Sequence, residues 1–418
     1  MLENAGAYVM LPRERDINPI EVIVDNDKPE EGGTLYSQDT YFESNGHNKW
    51  ETGEGEAFIY DLPDFRDTEN PFENGTYRIV KTTKNGSPST ASWVADIPVS
   101  RDYAIYVSYK SLPNSSEDAR YTINYDGGSE DILVNQKMGG GTWIYLGTYP
   151  LAEGYDPENP TVVLTSKSEK GGDTVVTADA VKIGGGMGNI SRSPRRSDVF
   201  WNNVTIDNDS TIAQENIDTS VANSKAQTAS YNPFKAEEAQ KGEPIFKTSG
   251  LPRWLEGARY WLQWAGMPDS IYSPYAGTDD YKDDYTSRGM WVNYLAGGSR
   301  VLPNAKGLKI PIDATMALHS DAGKRADDTF IGTLGIYFTN GNVNYADGTP
   351  RKNSRTMTDM LMRQITCDIR AKYEPEWTRR PMWDKSYVEA RVREVPSAVI
   401  EHLSHRNFAH KQYGSAPR

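Results

Sequence analysis

From about Val22 to Ile190, apolar side chains recur at every second position in short runs bounded by clusters of Gly, Asn, Asp and Pro. A pleated strand sends successive side chains to opposite faces, so runs of this period specify strands with one buried face and leave little room for helices. Tyr103, Ile105, Val107 and Tyr109 share one face of such a strand. Tyr121, Ile123 and Tyr125 share a face of another, and Asp126-Gly127-Gly128-Ser129 supplies a turn. Trp143 to Tyr149, Thr161 to Thr165 and Val175 to Ile183 continue the pattern. Strands at this spacing without intervening helices predict a β-sandwich or jelly roll over residues 22–190.

The pattern then changes twice. Residues 191–247 are rich in Ser, Asn, Thr, Gln and Ala with little apolar periodicity, and read as a polar linker. Over 248–418, helical periodicity alternates with short apolar runs, which predicts an α/β domain with a mostly parallel sheet covered by helices. Met357, Met360, Leu361, Ile365 and Ile369 fall on one helical face, and Met316-Ala317-Leu318 and Ala398-Val399-Ile400 have the character of strands buried on both faces. The run Tyr8 to Leu11 belongs by character with this second group. The α/β domain is therefore expected to begin in residues 1–21, to be interrupted by the β domain at 22–190, and to resume at 248–418.

A length of 418 residues allows more than one core. No apolar run reaches the length of a membrane span. The net charge of -13 argues against general nucleic-acid binding, which needs cations to displace counterions from phosphates. One cysteine, Cys367, rules out an intramolecular disulfide and a thiolate zinc cluster, so a bound metal would rely on His and carboxylates. Met1 to Leu11 reads as the last turn of a helix, a Gly cap and a strand. The polar stretch after Leu403 has no closing helix, so truncation at both ends is expected.

Two apolar runs end in ionisable residues: His319 follows Ala317-Leu318, and Glu401 follows Val399-Ile400. Ligands in open α/β sheets bind outside the carboxyl ends of strands, so both residues are candidates for one crevice. Either one alone is equally a hydrogen-bonded structural group. Asp279, Asp280, Asp283 and Asp284 suit a cation or, equally, a solvated helix start. Trp254, Tyr260, Trp261 and Trp264 suit sugar stacking or a core, and His47 and Trp50 carry the same two readings. His402, His405 and His410 fit no compact ligand set and are expected at the surface or behind the site. Gly184 to Gly188 reads as a hinge.

Leu2 to Val9 with Arg13 and Asp16, the segment His319-Ser320-Asp321-Ala322, and Val395 to Glu401 resemble, in this order, zinc N-acetylmuramoyl-L-alanine amidases. The resemblance implies Zn²⁺ held in part by His319, with Glu401 as general base. It also implies hydrolysis of the amide between muramic acid and L-alanine in peptidoglycan, in a periplasmic or extracellular protein. The family's first His and a ligating Glu have no counterpart here, so this chain is expected to carry half a site. Ala178 to Ile183, preceded by Trp143 to Leu146, resembles the golvesin or xanthan-lyase type of accessory β domain. Two alternatives stay open: a polysaccharide lyase, which needs a Tyr, His or Lys base, and a non-catalytic protein that binds cell wall or another glycan.

Overall fold

The computed structural model describes residues 9–12, 20–27, 41–59, 70–171, 173–185, 257–275, 279–323, 325–327 and 329–410. The chain forms two compact units, Met1–Asp284 and Tyr285–Arg418. The linker expected at 191–247 lies outside the described residues, as do Arg13, Asp16 and Trp254.

The strands of the first unit are β1 (Glu21–Val24), β2 (Tyr41–Ser44), β3 (Glu51–Thr52), β4 (Arg78–Lys81), β5 (Thr90–Trp93), β6 (Arg101–Val107), β7 (Ala119–Tyr125), β8 (Gly128–Val134), β9 (Ile144–Leu151), β10 (Val162–Thr165), β11 (Val175–Ala178) and β12 (Val181–Gly184). They build three antiparallel sheets, in the orders β1-β12-β6-β9, β2-β5-β10-β7-β8 and β11-β4-β3. Between the first two sheets lies the core that the alternation specifies: Tyr103, Ile105, Val107, Tyr121, Ile123, Val162, Leu164, Val181 and Ile183 pack around Trp93. Trp93 is fully enclosed and its indole N–H donates to the Asp179 carbonyl at 2.9 Å. Truncating such a ring typically costs about 3–5 kcal/mol. The β7–β8 hairpin turns at Asp126-Gly127, where Gly127 takes a φ of 98° that a side chain would oppose.

The helices of the first unit are α1 (Ala258–Trp264) and α2 (Asp269–Tyr272), and α3 (Asp280–Ala296) runs across the unit boundary. Tyr260, Trp261 and Trp264 of α1 pack with Phe58, Phe72, Trp143, Ala104 and Tyr106 in a second core against the outer side of the β6 sheet. These aromatics are therefore core residues, and so is Trp50, whose indole donates to the Thr90 carbonyl. Three members of the acidic cluster accept backbone hydrogen bonds, two of them at helix starts. Asp279 accepts from the Lys282 N–H at the start of α3, Asp284 accepts from the Arg259 N–H at the start of α1, and Asp283 accepts from the Tyr275 N–H.

The second unit contains β13 (Thr315–Asp321), β14 (Leu334–Tyr337), the helix α4 (Lys352–Lys372), β15 (Trp383–Asp384), the single turn α5 (Val388–Arg391) and β16 (Ser397–Ser404). Its sheet has the order β13-β16-β14-β15, with β13 and β16 parallel, β16 and β14 antiparallel, and β14 and β15 parallel. Met362 of α4 packs with Ala398 and Ile400, supported by Met357, Leu361 and Ile365. Ala390 of α5 packs with Ala317, Val399, Leu334 and Ile336. Gly335 makes the close approach of α4 possible, because a Cβ there would lie 2.5 Å from Thr358 Cγ2 and 2.8 Å from Met362 Cγ.

The expected α/β fold class is overturned. The described chain is mostly β-sheet with few helices; three of its four sheets are wholly antiparallel and the fourth is mixed. Three physical reasons account for the misreading. Met316 and Leu318 are 39% and 65% exposed, so their run is one open-faced edge strand instead of a strand buried on both faces. Met360 points to solvent at 66% exposure while Met362 takes the core position. Of the strand expected at Tyr8 to Leu11, the described residues Val9, Met10 and Leu11 are irregular, and Met10 packs against the sandwich core instead of joining the second sheet.

Candidate functional site

Parallel pairing of β13 with β16 sets Thr315 to His319 against Ser397 to Glu401 one residue at a time, so His319 and Glu401 stand at the same level of adjacent strands. Immediately beyond, the register shifts: Ser320 pairs with Leu403, leaving His402 as the extra residue of a bulge. A bulge bends its strand and re-aims neighbouring side chains. The two residues singled out in the sequence are thus brought together, with His319 Nδ1 3.6 Å from Glu401 Oε1. Glu401 is 8% exposed, and its Oε2 is buried without a hydrogen-bond partner.

A third group completes the cluster. Glu389, on α5, directs Oε2 at His319 Nε2 in a short contact. Its Oε1 lies 3.5 Å from Arg393 Nη2 and 3.7 Å from Arg288 Nη1. Arg393 is itself 4% exposed and also reaches Thr315 Oγ1 at 3.3 Å. Nothing periodic marks Glu389 in the sequence; the only signal is its four-residue spacing from Arg393, which places the two on neighbouring turns of a helical path.

The electrostatics follow from these contacts. The carboxyl of Glu389, and then that of Glu401, raises the His319 imidazole to about 9 against the opposing effect of burial. Burial pushes the Glu389 carboxyl up, but the hydrogen bond and charge of His319, with the charges of Arg393 and Arg288, bring it below the ordinary value. At neutral pH the cluster sets the His319 imidazolium against the Glu389 carboxylate, which is backed by two guanidinium groups.

These donors do not fit the expected zinc ion. Among the described residues no three His, Cys, Asp or Glu side chains are arranged to hold a metal, and both ring nitrogens of His319 face carboxylates instead of a shared vacant point. The other histidines stand apart. His405 Nδ1 meets Ser320 Oγ at 3.1 Å, and His410 is enclosed, stacked on Trp377 with a centroid distance of 4.6 Å. His410 Nε2 accepts from the N–H groups of Ile331 and Gly332, which makes it a buried tie between strand ends and not a surface residue.

The outer face of the five-stranded sheet is a second candidate surface. Register places Phe42, Ser92, Val163, Thr122 and Asp131 in one transverse row, and Ser44, Thr90, Thr165, Arg120 and Leu133 in the next. Phe42, Ser44, Asp131 and Leu133 are exposed. Asp131 accepts from Thr122 Oγ1 at 2.6 Å and Arg120 Nη1 at 2.8 Å, and these hydrogen bonds hold its carboxyl below the ordinary value. Among the described residues no helix is long and apolar enough to cross a membrane.

The family described as Golvesin C-terminal domain matches residues 66–185, within the first unit. No curated protein matches the chain. Among solved structures, a Paenibacillus xanthan lyase is similar at 21% identity over 40% of this chain and 13% of its own, with a TM-score of 0.29. A carbohydrate-binding module of Cellvibrio mixtus lichenase 5A, solved with cellotriose, is similar at 15% identity over 34% of this chain and 90% of its own, TM-score 0.20. A family 35 carbohydrate-binding module from Clostridium thermocellum is similar at 14% identity over 35% and 91%, TM-score 0.20. The chain thus spans about an eighth of the xanthan lyase, and the golvesin match takes in β4 to β12 of the sandwich without extending to His319 or Glu401.

Proposed function

We propose that this chain is a glycan-binding protein of the bacterial exterior, with the outer face of the β2-β5-β10-β7-β8 sheet as its binding surface. The observation that carries the reading is the pair of transverse rows on that face, in which hydroxyls and an Arg–Asp pair lie between an exposed Phe42 and an exposed Leu133. Such a surface offers hydrogen bonds to sugar hydroxyls and an aromatic ring to a sugar's apolar face. The net charge of -13 suits a neutral polymer better than a polyanion. A secreted or periplasmic location goes with this reading. Co-sedimentation with peptidoglycan and with neutral polysaccharides tests it: Phe42→Ala is expected to weaken retention about tenfold, the value of one lost stacking anchor. Unchanged retention by every polymer the wild type binds would remove this face from the function.

A second reading, hydrolysis of a cell-wall amide, is favoured by one observation: His319 and Glu401 stand at the same level of adjacent strands, with Glu401 Oε2 unpartnered. Here Glu401 takes the proton of an attacking water and returns it to the leaving amine, a role for a carboxylate within hydrogen-bond reach of that water. His319, carrying a proton, steadies the negative charge that develops on the carbonyl oxygen. Release of muramoyl-linked peptides from peptidoglycan, abolished in Glu401→Gln, is the expected result. Full release by Glu401→Gln would take that residue out of the reaction.

A further inference from the structure

We propose that Glu389 is a positioning residue that fixes the ring of His319 with Nε2 set against the Glu389 carboxylate and Nδ1 turned toward Glu401; the proposal rests on the acid–base reading of the His319–Glu401 pair. An imidazole on an edge strand has two rotatable bonds and no neighbour on its open side. His319 keeps 27% side-chain exposure, so packing alone does not set its ring. Glu389, by contrast, is 6% exposed and its position is over-determined. Its backbone belongs to α5, whose Ala390 is packed against Ala317 and Val399, and its Oε1 faces two guanidinium groups.

Arg393 is held in turn by Thr315 of β13, the strand that carries His319. The chain of contacts therefore runs from the start of β13 through Arg393 and Glu389 to the ring of His319 near the end of the same strand. A carboxylate fixed in this way selects one ring nitrogen as the donor to itself. It thereby decides which nitrogen is presented to Glu401, as orienting carboxylates do beside general-base histidines. Glu401 Oε2 is buried without a hydrogen-bond partner, because His319 approaches only the other oxygen.

The test is nuclear magnetic resonance of the full chain with ¹⁵N-labelled histidine. The Nε2–H of the His319 imidazolium, assigned by its disappearance in His319→Asn, is expected at low field and in slower exchange with water than the Nδ1–H. Glu389→Gln is expected to speed that exchange about tenfold, the value of one hydrogen bond to a charged group. Glu389→Asp is expected to restore part of the protection, which a merely structural loss would not do. Should the Gln variant fail to fold, the Asp variant decides alone: faster exchange than wild type supports the proposal, and unchanged exchange overturns it. Wild-type protection in Glu389→Gln, or a proton resident on Nδ1 alone, also overturns it. Glu401→Gln separates the two claims. It is expected to leave the Nε2 proton protected, so a failure of hydrolysis in every variant sinks the amide reading without touching the ring-orientation result.

Discussion

Two carboxylates lie almost equally far from water, one in each unit, and their surroundings drive them in opposite directions. Asp179 of the sandwich is 1% exposed and accepts hydrogen bonds from neutral donors, the Phe58 N–H and the Ser108 hydroxyl. Burial pushes it up to about 7 despite those bonds. Glu389 is 6% exposed, but a histidine and two arginines gather on it and keep it ionised. Burial by itself therefore says little about charge; the partners decide whether a buried acid is a neutral strut or one pole of an electrostatic cluster.

The sharpest way to break the comparison is to remove the partnered acid. Glu389→Ala leaves the Arg393 guanidinium buried and uncompensated and is expected to cost about 3–5 kcal/mol. Hydrogen exchange read by mass spectrometry should place the loss in Tyr285–Arg418 and leave the sandwich protected. Equal loss in both units would mean that the cluster is not a local feature.

The next effect is a difference in pH response. Asp179 has a raised pKa, so its folded form keeps a proton that the unfolded chain gives up. Stability is then highest below about 4 and falls as pH rises toward about 7, by on the order of a few kcal/mol. Asp179→Asn should flatten that slope in urea titrations across this range. The second unit runs the other way on its acid side, and on the alkaline side it loses stability in a later window than Asp179 does. Glu389, held low, contributes above its unfolded value and loses that contribution as pH falls through its lowered folded value. His319 contributes fully below about 6.5 and loses its contribution as pH rises through about 9. His410, which burial lowers to about 4, adds an acid-side loss that begins below 6.5. Parallel pH profiles for the two units would contradict this assignment.

Smaller effects sharpen the picture. Gly335→Ala forces a Cβ into Thr358 and Met362 and is expected to cost about 2 kcal/mol in denaturant melts, within the range for overpacking. Glu401→Gln is expected to cost about 1 kcal/mol, since it removes the buried charge beside the His319 ring.

The same contrast explains what the sequence disclosed. Sandwich strands such as β6 and β7 were legible because Tyr103, Ile105, Tyr121 and Ile123 obey a period that only a strand satisfies. The meeting of His319 and Glu401 was legible because each ends an apolar run of similar length, and the parallel register then aligns the two ends. The surrounding fold was not, because three apolar residues in a row do not say whether one face or both are covered. Leu318 at 65% exposure and Ile400 at 0% came from runs that look alike. Glu389 escaped because it lies on a single turn, where no period can be read, and its partners Arg288 and Arg393 come from different segments.

The bulge after His319 and Glu401 limits how this stretch can change its length. His402 is the extra residue between the His319–Glu401 pair and the Ser320–Leu403 and Asp321–Ser404 pairs. Ser404 Oγ in turn donates to the Gly323 carbonyl, and its backbone nitrogen lies 2.8 Å from His410 Nδ1. Deleting His402 would set Leu403 directly after Glu401, so that the two later pairs continue the ladder without a bulge and only the bend it imposes is lost. A further added residue would instead carry Ser404 away from Asp321, Gly323 and His410. Point substitutions and a one-residue deletion at this half-buried joint are therefore expected to be tolerated better than a one-residue insertion.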